Sequence, residues 1–595
     1  MTTGCSSCRS PSSTSRSISA ASSTTGSATT GRAASDHHVS RRVLDRLRRY
    51  AAVAVGALLL ASCSAAEPEH QPPPLGELVS IDQGELLGAT DGSVLRYRGI
   101  PYAAAPVGER RWRPPGPAPS WNGTRPATEP GARCPQVAVA PDAPPASGSE
   151  DCLSLDVTVP AGTTADDALP VLVWIHGGGF SAGAGSDVDP RRLAEAGPLV
   201  VVTVNYRLGM LGFLGLPGLE GSGEFGLLDQ QAALHWVQRN IRAFGGDPGS
   251  VTLAGESAGA DSVCSQLTSP GALGLFHRVI MQSGGCSTAN IVDVIRPGTG
   301  PAGDTWKTLP LLQAAGDAAA TAFGCPEEEL GRPPAARFGD RYDSAAVLDC
   351  LRTLPAAQLV DGTDYYWSPA TGTPTLPRRP SDVVVDRDVR LGTPVLAGTT
   401  KDEGTLFTEL FYARAGVPLT PAGLDALLAA TSGRAAAQAA RAYAATDRSP
   451  DRAWSDVITD RAYACTGLAS YRMLADVGPV YAYEFADASA PSPFVALPPE
   501  LAGGATHGSD VPYLFDLVAE QPPLSTAQQE LAAEMVDRWA RFAATGNPNG
   551  GAGTPWPQWS GEGQILTMTG AGAGTTVQTS SQFAADHHCD VWGVL

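Results

Sequence analysis

Positive charge is scarce in this 595-residue sequence: 41 Lys and Arg stand against 60 Asp and Glu, a formal charge of −19. No basic residues cluster in the body of the chain, which argues against a nucleic-acid partner. A membrane-length apolar run is also lacking. The hydrophobic stretch AAVAVGALLLASC (Ala51–Cys63) has only about a dozen apolar residues, too few to span a bilayer. Histidine is sparse, at nine residues, so few positions can supply a catalytic base. No internal repeat and no obvious linker interrupts the chain after residue 78, which excludes a repeat architecture.

The N-terminus has two parts. Met1 to about Ser40 is rich in Ser and Thr, carries Cys5 and Cys8, and has no hydrophobic pattern, a composition expected to be disordered. RRVLDRLRRY (Arg41–Tyr50) and the apolar stretch after it then read as the basic and hydrophobic regions of an export signal. Its end, Leu60-Ala61-Ser62-Cys63, resembles the lipobox of bacterial lipoproteins, in which the Cys is lipidated and becomes the new N-terminus. An ordinary cleaved signal with an incidental Cys is the alternative. SCSAAEPEHQPPP (Ser62–Pro74) supplies a polar tether. A signal ordinarily begins a protein, so Val39 or Val43 is the expected initiator. The expected organisation is a leader and signal over 1–62, a lipidated Cys63 and tether over 63–77, and one domain over 78–595. Residues 1–62 hold eight Arg against two acids, which leaves about −25 on the remainder. The expectation is an exported acidic body, held by one lipid at the extracytoplasmic face of the cell membrane or secreted.

Eight cysteines follow Cys63: Cys134, Cys152, Cys264, Cys286, Cys325, Cys350, Cys465 and Cys589. An even number in an exported chain predicts four disulfides, although counting does not fix their connectivity. Sequential pairing is the simplest choice for the first six. Each short loop closed this way is worth on the order of 3 kcal/mol in the chain-entropy picture.

Strand-like runs recur along the body: 170–175, 198–206, 250–255, 279–283, 394–399 and 480–485. Most are continuously apolar rather than alternating, as a parallel sheet covered on both faces requires. Helical stretches at 226–241 and 526–546 lie between and after them, the second with apolar residues at helical spacing and a Gly stop. The fold class is therefore α/β, with a mostly parallel central sheet. Ligands should gather beyond the carboxyl ends of its strands.

Two motifs fall at such ends. In VTLAGESAGADSV (Val251–Val263) a strand delivers Ser257 into a Gly-flanked turn that opens a helix. A chain with 67 glycines is expected to contain about half a G-x-S-x-G match by chance, so context must decide between a nucleophile and a helix cap. In VWIHGGGF (Val173–Phe180) a second buried strand ends in three glycines, whose backbone N–H groups can point into a site as an oxyanion hole requires.

With both motifs in hand, the sequence resembles the type-B carboxylesterases, the α/β-hydrolase family that includes cholinesterases and bacterial para-nitrobenzyl esterases. GIPYAAAPVGERRWRPP (Gly99–Pro115), EDCLSLDV (Glu150–Val157), NYRLGMLGFL (Asn205–Leu214), NIRAFGGDPGSVTLAGESAGA (Asn240–Ala260) and FAATGNPN (Phe542–Asn549) stand in that family's order. The resemblance implies an α/β-hydrolase fold with long inserted loops forming a gorge, and a Ser–Glu–His triad. It assigns the nucleophile to Ser257, the acid to Glu403 in KDEG (Lys401–Gly404) and the base to His507 in ATHGSDVPYLF (Ala505–Phe515). From the residues alone Asp402 is as good a carboxylate as Glu403. His507 is also favoured by its long Gly/Pro-rich loop. His70 lies in the tether, His176 in the glycine loop, His235 and His277 in helical or helix-end segments with core-like neighbours, and His587 and His588 at the C-terminus.

The family also implies an oxyanion hole from Gly178, Gly179 and Ala258, ester hydrolysis through an acyl-enzyme, a small-molecule ester substrate, and no metal or cofactor. It matches Cys134 with Cys152 and Cys325 with Cys350. Cys264 and Cys286 could meet after the nucleophile helix and the next strand, and Cys465 with Cys589 remains. The segment between Cys134 and Cys152 contains no aromatic residue, so cation–π recognition of choline is lacking there. The aromatics of DYYWSPATGTPTLP (Asp364–Pro377) fall near the expected acyl pocket, with ordinary core packing as the alternative. Two other functions stay open: an amide or polymeric-ester hydrolase with the same triad, and a non-catalytic surface-binding module that would have lost it.

Overall fold

Strand β4 (Leu169–Ile175) shows how this sequence builds its sheet. Val171, Val173 and Ile175 enter one apolar core together with Trp236 and Val263. Leu172 and Trp174 enter a second core with Met535 and Trp539. Side chains alternate across a strand, so two cores on opposite faces demand apolar residues at every position. The continuous apolar runs of the sequence are the consequence.

The computed structural model describes residues 74–595 apart from 138–145, 296–303, 326–343, 362–364, 414–418, 444–447, 520, 552, 571–573 and 594–595. The leader, the signal, Cys63 and the tether up to residue 73 lie outside the described residues. Pro72–Leu595 forms one compact unit.

Its centre is an eleven-stranded sheet. In chain order the strands are β1 (Ala89–Asp91), β2 (Val94–Pro101), β3 (Ser154–Pro160), β4, β5 (Val200–Val204), β6 (Gly246–Glu256), β7 (Arg278–Gln282), β8 (Val395–Thr400), β9 (Val480–Phe485), β10 (Gln564–Met568) and β11 (Thr575–Thr579). Across the sheet they run β11-β10-β9-β8-β7-β6-β4-β5-β3-β2-β1. The strands from β10 through β5 are parallel, and the edges at β11 and at β3 to β1 are antiparallel. This is an α/β-hydrolase architecture.

Seven helices matter for the site: α1 (Phe225–Asn240), α2 (Ala258–Thr268), α3 (Gly404–Phe411), α4 (Pro450–Ile458), α5 (Cys465–Ala475), α6 (Thr526–Thr545) and α7 (Ser580–Asp586). A six-residue π-helical turn, Thr459–Ala464, joins α4 to α5. Helix α6 starts where Ser525 and Gln528 cap each other reciprocally and stops at Gly546, whose φ of 76° is costly for other residues. Four disulfides join Cys134 to Cys152, Cys264 to Cys286, Cys325 to Cys350 and Cys465 to Cys589. Among the described residues no helix is long and apolar enough to cross a membrane.

Candidate active site

The turn between β6 and α2 is forced into an unusual conformation. Ser257 has φ 56° and ψ −125°, a region that costs a non-glycine residue of order 1–3 kcal/mol. Close packing holds it there. A Cβ at Gly259 would fall 2.1 Å from the carbonyl oxygen of Ile175, and one at Gly255 would fall 2.5 Å from the backbone of Gly259. Only glycine at both positions lets the helix start directly behind the strand end, which lifts Ser257 above the sheet. The N-terminus of the eleven-residue α2 points its N–H groups at the same spot, favouring negative charge there.

The glycine loop lies alongside. A Cβ at Gly177 would sit 3.1 Å from Ser257 Cβ and 2.6 Å from a carboxylate oxygen of Glu256. Gly178 and Gly179 have φ of 98° and 60°. Among the described residues none accepts a hydrogen bond from the N–H of Gly178, Gly179 or Ala258. The adjacent His176 is buried against Tyr206, with ring centroids 4.4 Å apart, and burial lowers its pKa to about 4. It is a neutral packing residue.

The acid and base loops are stitched together. Glu403 Oε2 is 2.5 Å from His507 Nδ1, and its Oε1 accepts the N–H of Thr400 at 2.8 Å. Asp402, the neighbouring carboxylate, points elsewhere: it is ion-paired with Arg452 and accepts the N–H of Ala505. The Asp402 N–H in turn donates to Ala505 O, and Thr405 Oγ1 donates to Thr506 Oγ1. Phe407 and Tyr463 wall the His507 ring, with centroids 5.0 and 5.1 Å away.

Sequence reasoning missed Glu256. It is the first variable residue of G-x-S-x-G and the last residue of β6, and its side chain is buried. Its Oε1 lies 3.2 Å from His507 Nε2. Burial alone would lower the His507 pKa, but the Glu256 and Glu403 carboxylates on either side of the ring outweigh it and raise it. Burial raises the pKa of Glu256 itself. Also buried nearby, Asp261 accepts the Gly285 N–H at 3.2 Å and is pushed up to about 7, while Asp510 accepts from Gln282 and Tyr483. The only sequence signal for Glu256 was a carboxylate at a strand end beside the candidate nucleophile.

The other expected residues also have places. Tyr366 stands by the glycine loop, 3.5 Å from where a Gly179 Cβ would be, whereas Trp367 is buried. His235 is exposed on α1, while its neighbours Leu234 and Trp236 are buried as expected. His587 is buried between two carboxylates instead of trailing at the chain end. Among the described residues no group of His, Cys, Asp and Glu side chains could hold a metal ion.

An α/β-hydrolase sheet carrying Ser257, Glu403 and His507 beside a glycine loop defines a class of hydrolase, and the comparisons narrow it. The sequence model of the carboxylesterase family matches residues 76–592. The para-nitrobenzyl esterase of Bacillus subtilis (strain 168) is 32% identical over 506 residues, covering 82% of this chain and 93% of that protein. Carboxylesterase 1D of Rattus norvegicus is 31% identical over 551 residues, covering 84% and 90%. A solved PNB esterase superposes with a TM-score of 0.68 at 30% identity, covering 86% of this chain and 99% of its own. A thermophilic PNB esterase reaches 0.68 at 29%, covering 86% and 100%. The chain belongs to the carboxylesterase family. It is a carboxylic ester hydrolase, not a non-catalytic binding module of the same fold.

Proposed function

We propose that hydrolysis proceeds through an acyl-enzyme on Ser257, with His507 as general base and Glu403 as the carboxylate that orients it. The Ser257 hydroxyl attacks the ester carbonyl carbon as His507 takes its proton. The N–H groups of Gly178, Gly179 and Ala258 stabilise the oxyanion, and each such donor is worth about 10²–10³ in rate. The tetrahedral intermediate expels the alcohol, which leaves with the proton from His507. Water then attacks the acyl-enzyme with the same base, releasing the carboxylic acid and restoring Ser257. What supports this reading most is the 2.5 Å contact between Glu403 and His507 in a loop cluster at the carboxyl ends of the strands. The substrate class is simple carboxylic esters, including benzyl esters of the kind named for the Bacillus subtilis relative.

The same proposal covers the rest of the chain: a leader and signal over 1–62, a lipidated Cys63 with its tether to 77, and a single catalytic domain over 78–595. Four disulfides fit an oxidising, exported setting. The basic and apolar regions before Leu60-Ala61-Ser62-Cys63 support lipidation.

The test is hydrolysis of para-nitrophenyl esters from acetate to palmitate by the purified protein and by Ser257→Ala. We expect activity on short chains and a loss of about 10⁶ in kcat in the variant. A variant that keeps more than about a thousandth of the activity would refute the acyl-enzyme on Ser257. Fatty-acid labelling that survives Cys63→Ser would refute the lipid site.

A further inference from the structure

We propose that His587 is a positioning residue for the esterase reaction: with Asp460 and Glu484 it clamps the π-helical turn whose Tyr463 ring holds His507 in place. The proposal rests on His507 as the base.

The π-turn touches both members of the Glu403–His507 pair. Its first residue, Thr459, accepts a hydrogen bond through Oγ1 from the N–H of Gly404, next to Glu403, at 2.9 Å. Tyr463 packs on the His507 ring and stacks on Phe407, whose ring is 5.7 Å away at an interplanar angle of 13°. Between these two, Asp460 points the other way, into a buried cluster. Its Oδ1 lies 2.7 Å from His587 Nδ1, and its Oδ2 accepts from the Tyr443 hydroxyl at 2.7 Å. Turns of this kind place one extra residue in a helix and are frequent at functional sites.

The other side of the His587 ring is fixed as well. Nε2 lies 2.8 Å from Glu484 Oε1 on β9. Glu484 is in register with Thr399 on β8, the strand that leads to Glu403. Its second oxygen accepts from Gln578 at 2.9 Å and lies 3.8 Å from Lys401 Nζ. With carboxylates at both ring nitrogens, His587 carries both protons as an imidazolium. Burial opposes that charge, and the hydrogen bonds that His587 donates to Asp460 and Glu484 outweigh it and raise the pKa to about 10. All three groups are at most 4% exposed.

A buried charge cluster of this kind adds little stability compared with apolar packing of the same volume, but it admits few alternative geometries. The disulfide Cys465–Cys589 binds the same two segments, since Cys465 follows the π-turn and Cys589 lies two residues beyond His587. The disulfide keeps the segments together, while the charge cluster sets how the turn is seated. Loosening the turn lets water reach the His507 ring. Water screens the carboxyl groups around that ring, Glu403, Glu256, Asp510 and Asp261, which together hold its pKa above that of a free imidazole, so the pKa falls back.

The experiment compares the full chain with His587→Gln/Asp460→Asn, which removes one positive and one negative charge together, with Tyr463→Leu, and with the triple variant. We expect kcat to fall about tenfold in the first two, with KM within about twofold. The acid limb of kcat/KM against pH should move downward in both. The triple variant should be no worse than either, because residues acting through one contact are not additive. Unchanged kcat and pH limb in a folded double variant overturn the proposal, and so does a triple variant whose loss is the product of the separate losses. If the double variant does not fold, Tyr443→Phe decides, because it removes one hydroxyl, which donates to Asp460 and accepts from Trp592 Nε1: a smaller downward shift supports the clamp and an unmoved limb overturns it. His507→Ala run alongside separates the two readings, since its retention of activity would remove the base itself.

Discussion

At the scale of single residues, the site turns on what surrounds one imidazole nitrogen. In the proposed mechanism His507 Nε2 receives the Ser257 proton, yet it faces Glu256 Oε1 at 3.2 Å. A carboxylate at that distance favours the protonated ring, and a protonated ring cannot act as base. With the His507 pKa raised to about 9, kcat/KM should climb with pH well above the 6.5 of an ordinary histidine. Glu256→Gln keeps the shape and removes the charge. The His507 pKa then falls, and the acid limb should move down by about one pH unit or more. A pH profile of kcat/KM from pH 5 to 10 checks this; a limb that stays or moves up would show that Glu256 is already neutral when the enzyme works. Residue identity alone could not reveal this neighbour, just as it could not separate Asp402 from Glu403. Those two carboxylates are chemically alike. Their roles diverge because the turn after β8 aims one at His507 and the other at Arg452.

At the scale of elements, the elbow depends on how closely α2 approaches the end of β4. The space at Gly259 is closed by Ile175 O at 2.1 Å and by His176 O at 3.0 Å. Both are backbone atoms, so a methyl group there must push the helix away from the strand. That moves Ala258 N–H relative to the glycine loop. Gly259→Ala should therefore lower kcat by about 10² or more, as loss of one oxyanion donor does, and also lower the unfolding temperature. Steady-state kinetics and thermal unfolding on one preparation check it, and a variant with normal kcat would mean the helix can shift without disturbing the donors. The parallel strands themselves were legible in the sequence because burial on both faces leaves an unbroken apolar run. The run 480–485 matches β9 in full, 170–175 shares its last residue with β4, and the other ends differ by one to four residues. The largest difference is at the start of β6, where Gly246 pairs with Leu169 before a register shift to Val251; a bulge of that kind has no hydrophobic signature. The π-turn left no signal either. Its sequence, TDRAYA, reads as ordinary helix, and its Asp460 contacts a histidine 127 residues away.

At the scale of the whole molecule, the chain closes on itself. The Cys465–Cys589 disulfide spans 124 residues and pins the C-terminal segment beside the π-turn. A loop that long restricts the unfolded chain by roughly 5 kcal/mol in the chain-entropy picture, against about 3 kcal/mol for each of the three short loops. His587, by contrast, exerts its effect in the folded state, where its two carboxylates hold it. The two devices at the C-terminus are thus separable by measurement. Replacing both cysteines, Cys465→Ala/Cys589→Ala, should lower the denaturation midpoint by an amount matching a loss of about 3–5 kcal/mol. In the molecules that remain folded, kcat should stay within about twofold of the parent, because constraint on the unfolded chain does not touch the seating of Tyr463. Denaturant titration and active-site-normalised kcat on the same samples give both numbers. A fall in kcat with little change in stability would reverse the assignment, making the disulfide the device that seats the turn and reducing the buried charge cluster to its support.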